Sequence, residues 1–392
     1  MLILHGILAG VAVVGAALPR RSLAIGAGAA ALDLLLGADL APALATTVPM
    51  LAFLGAAMSL AGLVERSGLC ERGAAILARR AGGRSWALYA LVCATCAGLT
   101  AVLSLDGAVV LMVPLVLALA RRFDAPLAPL FTGVVAVANP ASIAVPQGNP
   151  TNLVLMARLG LSPAAFTAHL ALPALAAAAV GAMGVAISER RALSGRHRVP
   201  VPDVGPLTAA ERYAAAILTA GAVIACACPL AGVEPWWPFA GVAAAGLAGE
   251  RWFHRVSAQS RPGSRIVVPW RIGLRVATLV VVVGALPVAP LPGAGSSALA
   301  LLAVAAGVGA VATLVNNLPA SVWAASLLTE GPSAYAALIG LGVGALATPQ
   351  GSVATLVAAD LADARELVRP RRLVPLAVVA VIAAWAMLAA PL

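Results

Sequence analysis

Long apolar runs, broken by short polar knots and basic clusters, organise this chain. A helix needs about 20 apolar residues to cross a bilayer. Candidate spans fall at roughly 2–18, 22–38, 44–64, 128–157, 163–187, 209–231, 236–250, 270–288, 334–360 and 373–391. Two further stretches, 85–120 and 296–329, are too long for one helix. Ser104-Leu105-Asp106-Gly107 interrupts the first and Asn316-Asn317-Leu318-Pro319 the second. Irregular backbone at membrane depth is tolerated only where protein or a water-filled cavity satisfies it. Each long stretch is therefore expected to be a helical hairpin that enters the membrane and returns to the same side.

Composition agrees with this pattern. The 392 residues are 62% hydrophobic and 10% charged, with a mean hydropathy of +1.00, against roughly 45–50% and about 25% in soluble domains. Abundant small residues suit closely packed membrane helices. Lysine is absent, so all 25 basic residues are Arg. That excludes a P-loop ATPase and Schiff-base chemistry. The apolar start, Met1 to Leu18, lacks a basic n-region and reads as a retained span rather than a signal peptide.

The net charge of +10 first suggests nucleic acid, but the arginines do not form a patch with interleaved aromatics. They fall in blocks between spans: Arg20–Arg21, Arg66 to Arg84, Arg121–Arg122, Arg190 to Arg212, Arg251 to Arg275 and Arg365 to Arg372. This is the positive-inside pattern of a multi-pass protein of the cytoplasmic membrane. With both hairpins re-entrant, every Arg except Arg158 lies on the cytoplasmic side. Reading either hairpin as a full crossing puts later blocks on the wrong face. The stretches 66–84 and 251–275 are expected at matching places in two halves, as amphipathic helices on the cytoplasmic surface.

The two hairpins then open from opposite faces, which implies an inverted duplication. Val145-Pro146-Gln147-Gly148-Asn149-Pro150-Thr151-Asn152-Leu153-Val154 aligns with Thr348-Pro349-Gln350-Gly351-Ser352-Val353-Ala354-Thr355-Leu356-Val357. Each copy lies downstream of its own hairpin and carries Pro and Gly, which break a helix. The expected fold is all-α and polytopic, with about ten transmembrane helices, two re-entrant hairpins and broken helices at 128–157 and 334–360. The first repeat spans 1–190, a cytoplasmic linker 191–208 and the second repeat 209–392. Interrupted segments at matching positions in two halves point to a transporter binding site. All five Asn and two of three Gln sit at these interruptions. The expected site therefore comprises Ser104, Asp106, Gly107, Asn139, Gln147, Gly148, Asn149, Thr151, Asn152, Asn316, Asn317, Thr348, Gln350, Gly351, Ser352 and Thr355.

The same residues carry a family resemblance. Ala138-Asn139, followed by Gly148-Asn149-Pro150 and Asn152, resembles the AN…GNPPN signature of the ion transporter superfamily, best matched in the arsenite permease family. Ser104-Leu105-Asp106-Gly107-Ala108 and Pro114-Leu115-Val116 are similar to its SNDGA…TPIV segment. Asn316-Asn317-Leu318-Pro319 resembles MNNMP, and Thr348 to Leu356 resembles TPIGSLATL. Leu105 replaces the family's Asn, and Pro150-Thr151 its doubled Pro. The resemblance implies arsenite or antimonite efflux, a homodimer and an arsenic-stimulated ATPase subunit as partner. Relatives in the superfamily carry citrate or dicarboxylates, or exchange sodium for protons, and these remain alternatives. A cavity of amides and hydroxyls suits neutral arsenite. No cofactor is expected, only coupling to protons or sodium.

Individual residues have plainer readings as well. Asp106 is the acid expected to couple transport, because intramembrane acids mark ion or proton pathways; the alternative is a helix cap. The Asn residues could instead be interhelical glue, and Gln147 and Gln350 could satisfy broken backbone. Arg158 is expected to snorkel to the interface. Asp33 is expected at the outer interface or paired there, and spacing identifies no partner for His5 or His169. The pairs Cys93/Cys96 and Cys226/Cys228 read as small hydrophobes within helices, and no zinc spacing or catalytic triad suggests an enzyme.

Overall fold

In lipid a helix satisfies its own backbone hydrogen bonds, and this computed structural model is built of helices. It describes residues 2–16, 22–37, 39, 41–199, 205–234, 236–256, 270–284, 296–329 and 331–390. The order is α1 (Leu2–Ala16), α2 (Ser22–Leu35), α3 (Ala41–Ser67), α4 (Leu69–Arg80), α5 (Ser85–Leu103), α6 (Leu105–Phe123), α7 (Leu127–Ala141), α8 (Pro150–Leu159) and α9 (Pro163–Ser188). There follow α10 (Arg190–Leu193), α11 (Ala209–Leu230), α12 (Trp236–Val256), α13 (Trp270–Gly284), α14 (Ala298–Val315), α15 (Asn317–Leu327), α16 (Pro332–Gly342), α17 (Val353–Ala362) and α18 (Pro370–Ala389). Among the described residues, α5, α9, α11, α14 and α18 are long and apolar enough to cross a membrane. Two of these, α5 and α14, are the leading arms of the hairpins.

The buried side chains sort the helices into two groups. Helices α1, α2 and α13 share one apolar cluster, and α3, α11 and α12 another. A larger body gathers α5 to α9 with α14 to α18 around Phe131, Phe166 and Leu338. A fifth cluster joins the groups, setting Leu54 and Met58 of α3 and Val280 of α13 against Val110 of α6, Leu318 of α15 and Val357 of α17. Helix α4 lies across the boundary, with Ala74, Leu77 and Ala78 in the larger body and Cys70 in the joining cluster. Burial pushes the Cys70 thiol up to about 12, so it supplies no thiolate at neutral pH.

The basic blocks meet through ion pairs and backbone contacts. Arg66 contacts Glu250 at 2.6 Å, Arg72 contacts Glu211 at 2.9 Å, and Arg372 contacts Glu189 at 2.9 Å. Such pairs contribute only about 0–1 kcal/mol each, so they matter mainly for which helix ends they place together. Ser85 donates its backbone N–H to the Gly195 carbonyl at 3.3 Å, while Arg198 donates to that of Phe123 at 2.7 Å. One short segment thus ties both feet of the first hairpin side by side.

The stretch 66–84 ends α3 and forms α4, while Arg251 and Arg255 lie in α12 and Arg271 and Arg275 in α13, and residues 257–269 fall outside the described residues. One expectation changes. His5 does have a partner: its Nδ1 lies 2.7 Å from Asp33 Oδ1, joining α1 to a fully buried carboxylate on α2. The 28-residue separation hid a contact that exists only once the two helices pack.

Candidate substrate site

Both hairpins turn on one residue in an unusual backbone conformation. Ser104 (φ 82°, ψ 166°) ends α5 and caps α6, and Asn316 (φ 91°, ψ 151°) does the same between α14 and α15. A non-glycine residue at positive φ is uncommon, and each is held by capping bonds. Ser104 Oγ accepts from Gly107 N–H at 3.4 Å, while Asn316 Oδ1 accepts from Leu318 N–H at 3.2 Å. Asn316 Nδ2 also donates to the Gln350 carbonyl at 2.8 Å, tying the second tip to the second unwound segment. The cap of α6 is therefore Ser104, which removes the capping explanation for Asp106.

The twin unwound segments match in backbone, residue by residue. Pro146–Gly148 and Pro349–Gly351 each form a single 3₁₀ turn. Asn149 (φ −152°, ψ 137°) precedes the 10-residue α8, and Ser352 (φ −137°, ψ 134°) precedes the 10-residue α17. The left-handed residues Gly160 and Asp363 close those helices. Gly148 and Gly351 share one steric reason for being glycine. A Cβ on Gly148 would collide with the Ser142 carbonyl, its carbon 2.9 Å away, and one on Gly351 would meet the Ala345 carbonyl carbon at 2.9 Å.

The interruptions meet at a small cavity of about 20 Å³. Each wall is the start of a helix: Leu105 and Asp106 of α6, Pro150 and Thr151 of α8, Asn317 and Leu318 of α15, and Val353 of α17. The caps Asn149 and Ser352 and, from across the group boundary, Leu54 complete it. The first-turn N–H groups of a helix lack partners within it, and each N-terminus carries about half a positive charge. Two buried hydroxyls at the cavity, Thr151 Oγ1 and Ser352 Oγ, have no hydrogen-bond partner among the described residues. Asp106 is 7% exposed, with no hydrogen bond or ion pair among the described residues. About 10–15 Å³ of this kind of space holds one water, so the site as it stands admits a water-sized occupant only.

Of the expected residues, Asp106, Asn149, Thr151, Asn317 and Ser352 line the cavity. The others surround it in supporting positions. Asn139 Nδ2 donates to Thr355 Oγ1 at 3.2 Å, linking the two halves. Asn152 Nδ2 donates to the carbonyls of Ser142 and Val145 at 2.8 and 3.1 Å. Gln147 donates to the Ala101 carbonyl at 3.2 Å, which is the backbone-satisfying role, while Gln350 contributes its main-chain oxygen. The Thr348 hydroxyl donates to the Thr313 carbonyl at 2.7 Å and accepts from Gly351 N–H at 3.1 Å.

Outside the expected set are Ser142 and the cavity residues Leu54, Leu105, Pro150, Leu318 and Val353. Ser142, fully buried, accepts from Asn149 Nδ2 at 3.4 Å and donates to the Asn139 carbonyl at 2.7 Å. Its position between Asn139 and Asn152 was the available signal. Leu54 had none, because it belongs to a featureless apolar helix nearly 50 residues before the first hairpin tip.

A family model described as citrate transporter covers residues 11–383. No curated protein matches the chain.

Proposed function

Because the chain belongs to the citrate transporter family and is thus a multi-pass membrane transporter, we propose that it carries citrate or a related carboxylate by alternating access. The observation that favours an anion is the convergence of four helix N-termini on one cavity. Together they place a charge on the order of +2 around the site, opposed by the single carboxylate of Asp106. Neutral arsenite gains little from that field, whereas a carboxylate gains from both the dipoles and the two unpartnered hydroxyls. The arsenite reading rests on motif resemblance alone.

Asp106 supplies the coupling in this proposal. A carboxylate beside an anionic substrate repels it unless a proton or a sodium ion neutralises the pair. The larger helical body moves against α1–α3 and α11–α13 across the aliphatic surface that includes Leu54, Val110 and Val357. The present cavity is too small for citrate, so substrate binding requires that surface or a hairpin tip to open. We place the Arg-rich ends in the cytoplasm and read both hairpins as re-entrant within an inverted repeat spanning 1–190 and 209–392. For the second hairpin, helix α15 supports this: its 11 residues extend about 17 Å, short of the roughly 30 Å hydrocarbon core.

Flux into proteoliposomes tests the reading. Citrate, succinate, arsenite and sodium are offered separately, each with and without an imposed pH gradient. A carboxylate is expected to move in response to a proton or sodium gradient. Arsenite movement without any carboxylate movement overturns the proposal.

A further inference from the structure

Beside the cavity lies a groove of about 520 Å³ at the boundary between the two helical groups. Phe53 of α3 and Trp236 of α12 form one side, and Leu153 and Val154 of α8 the other. Pro150 and Leu318 are shared by the groove and the candidate substrate site. Arg158 lies in the groove wall, exposed and without an ion pair or hydrogen bond among the described residues. It sits eight positions along α8 from Pro150, about 12 Å away along the helix. Glu234, the carboxylate in the same wall, is engaged by Trp236 Nε1 at 2.6 Å.

We infer that this groove is the outer mouth of the transport path and that Arg158 gathers the carboxylate substrate there. This rests on the function and orientation proposed above, in which Arg158 faces outward. Glu234 keeps its charge in the same groove, so Arg158 acts as a local rather than a net positive field. It attracts an anion to its own end of the cleft and raises its rate of arrival there. It does so before the substrate meets the helix N-termini behind Pro150 and Leu318. Arg158 is thus a capture residue, distinct from the groups that hold the substrate during translocation.

Uptake kinetics of R158Q and R158E test this alongside labelling of L153C. For R158Q, KM for citrate should rise about two- to fivefold, the scale of one exposed charge contact, while Vmax is unchanged. The rise should be larger for R158E, and both should shrink at high ionic strength, where the charge is screened. L153C should react with a membrane-impermeant charged thiol reagent added outside, above the level of the native cysteines, and citrate should slow that reaction. Wild-type KM and salt dependence in both Arg158 variants overturn the inference. So does reaction of L153C with lipid-soluble reagents alone, which would make the groove a lipid site. If wild-type protein moves no carboxylate, the proposed function fails instead, while L153C labelling still reports whether water fills the groove.

Discussion

Asp106→Asn protein is expected to insert and purify like the wild type but to accumulate no substrate against a gradient. Asp106 lies in the first turn of α6, where burial disfavours the ionised carboxylate and the helix N-termini favour it. The two effects oppose, so the variant should fold with a stability close to the parent's. The turn does not depend on the carboxylate, because Ser104 provides the cap through Gly107. What disappears is the negative charge facing four positive helix ends, and with it the group that must be neutralised as substrate enters. Reconstituted D106N vesicles should show no pH- or sodium-driven accumulation, with a melting temperature close to that of the wild type. Wild-type accumulation and gradient dependence in D106N would remove Asp106 from the coupling mechanism. A lower melting temperature with intact transport would return it to a structural role.

Gly351→Ala and Gly148→Ala should be the most damaging conservative changes in the chain. Each adds a Cβ against a main-chain carbonyl, of Ala345 or Ser142, which no rotamer change can relieve. Overpacking costs about 1–3 kcal/mol where side chains absorb it, and here the 3₁₀ turn itself must shift. A loss of about 3 kcal/mol or more is expected, read as a large fall in melting temperature and in folded yield. Gly205→Ala is the control, since nothing lies within 4 Å of its added Cβ. If G148A and G351A melt with G205A, the twin turns are not the rigid frame of the site.

Much of this architecture was legible because membrane helices leave few ways to hide a polar residue. The knots at Ser104 and Asn316 located both hairpin tips, and the repeated Pro-Gln-Gly located both 3₁₀ turns. Which helix ends would face the cavity was not legible. A polar knot marks where a helix breaks but carries no sign of whether N–H or C=O groups point inward. That difference is what favours a carboxylate over neutral arsenite in the proposal above. Which motif amides reach the cavity wall was not legible either. Asn139, Asn152 and Gln147 spend their donors on Thr355 and on the carbonyls of Ser142, Val145 and Ala101. An unwound segment must first satisfy its own backbone, and in sequence a residue doing that looks the same as one awaiting a ligand.

The claim on which the rest depends is that the anion is held where α6, α8, α15 and α17 begin. Thermal unfolding of the purified protein with and without citrate tests it, compared with a T151V/S352A double variant. Neither hydroxyl has a hydrogen-bond partner among the described residues, so the double variant should match the wild type without ligand. Citrate at about 100 times its Kd should stabilise wild type by about 2.7 kcal/mol and the double variant far less. Equal stabilisation of both proteins, or stabilisation by arsenite and not by citrate, would contradict the account.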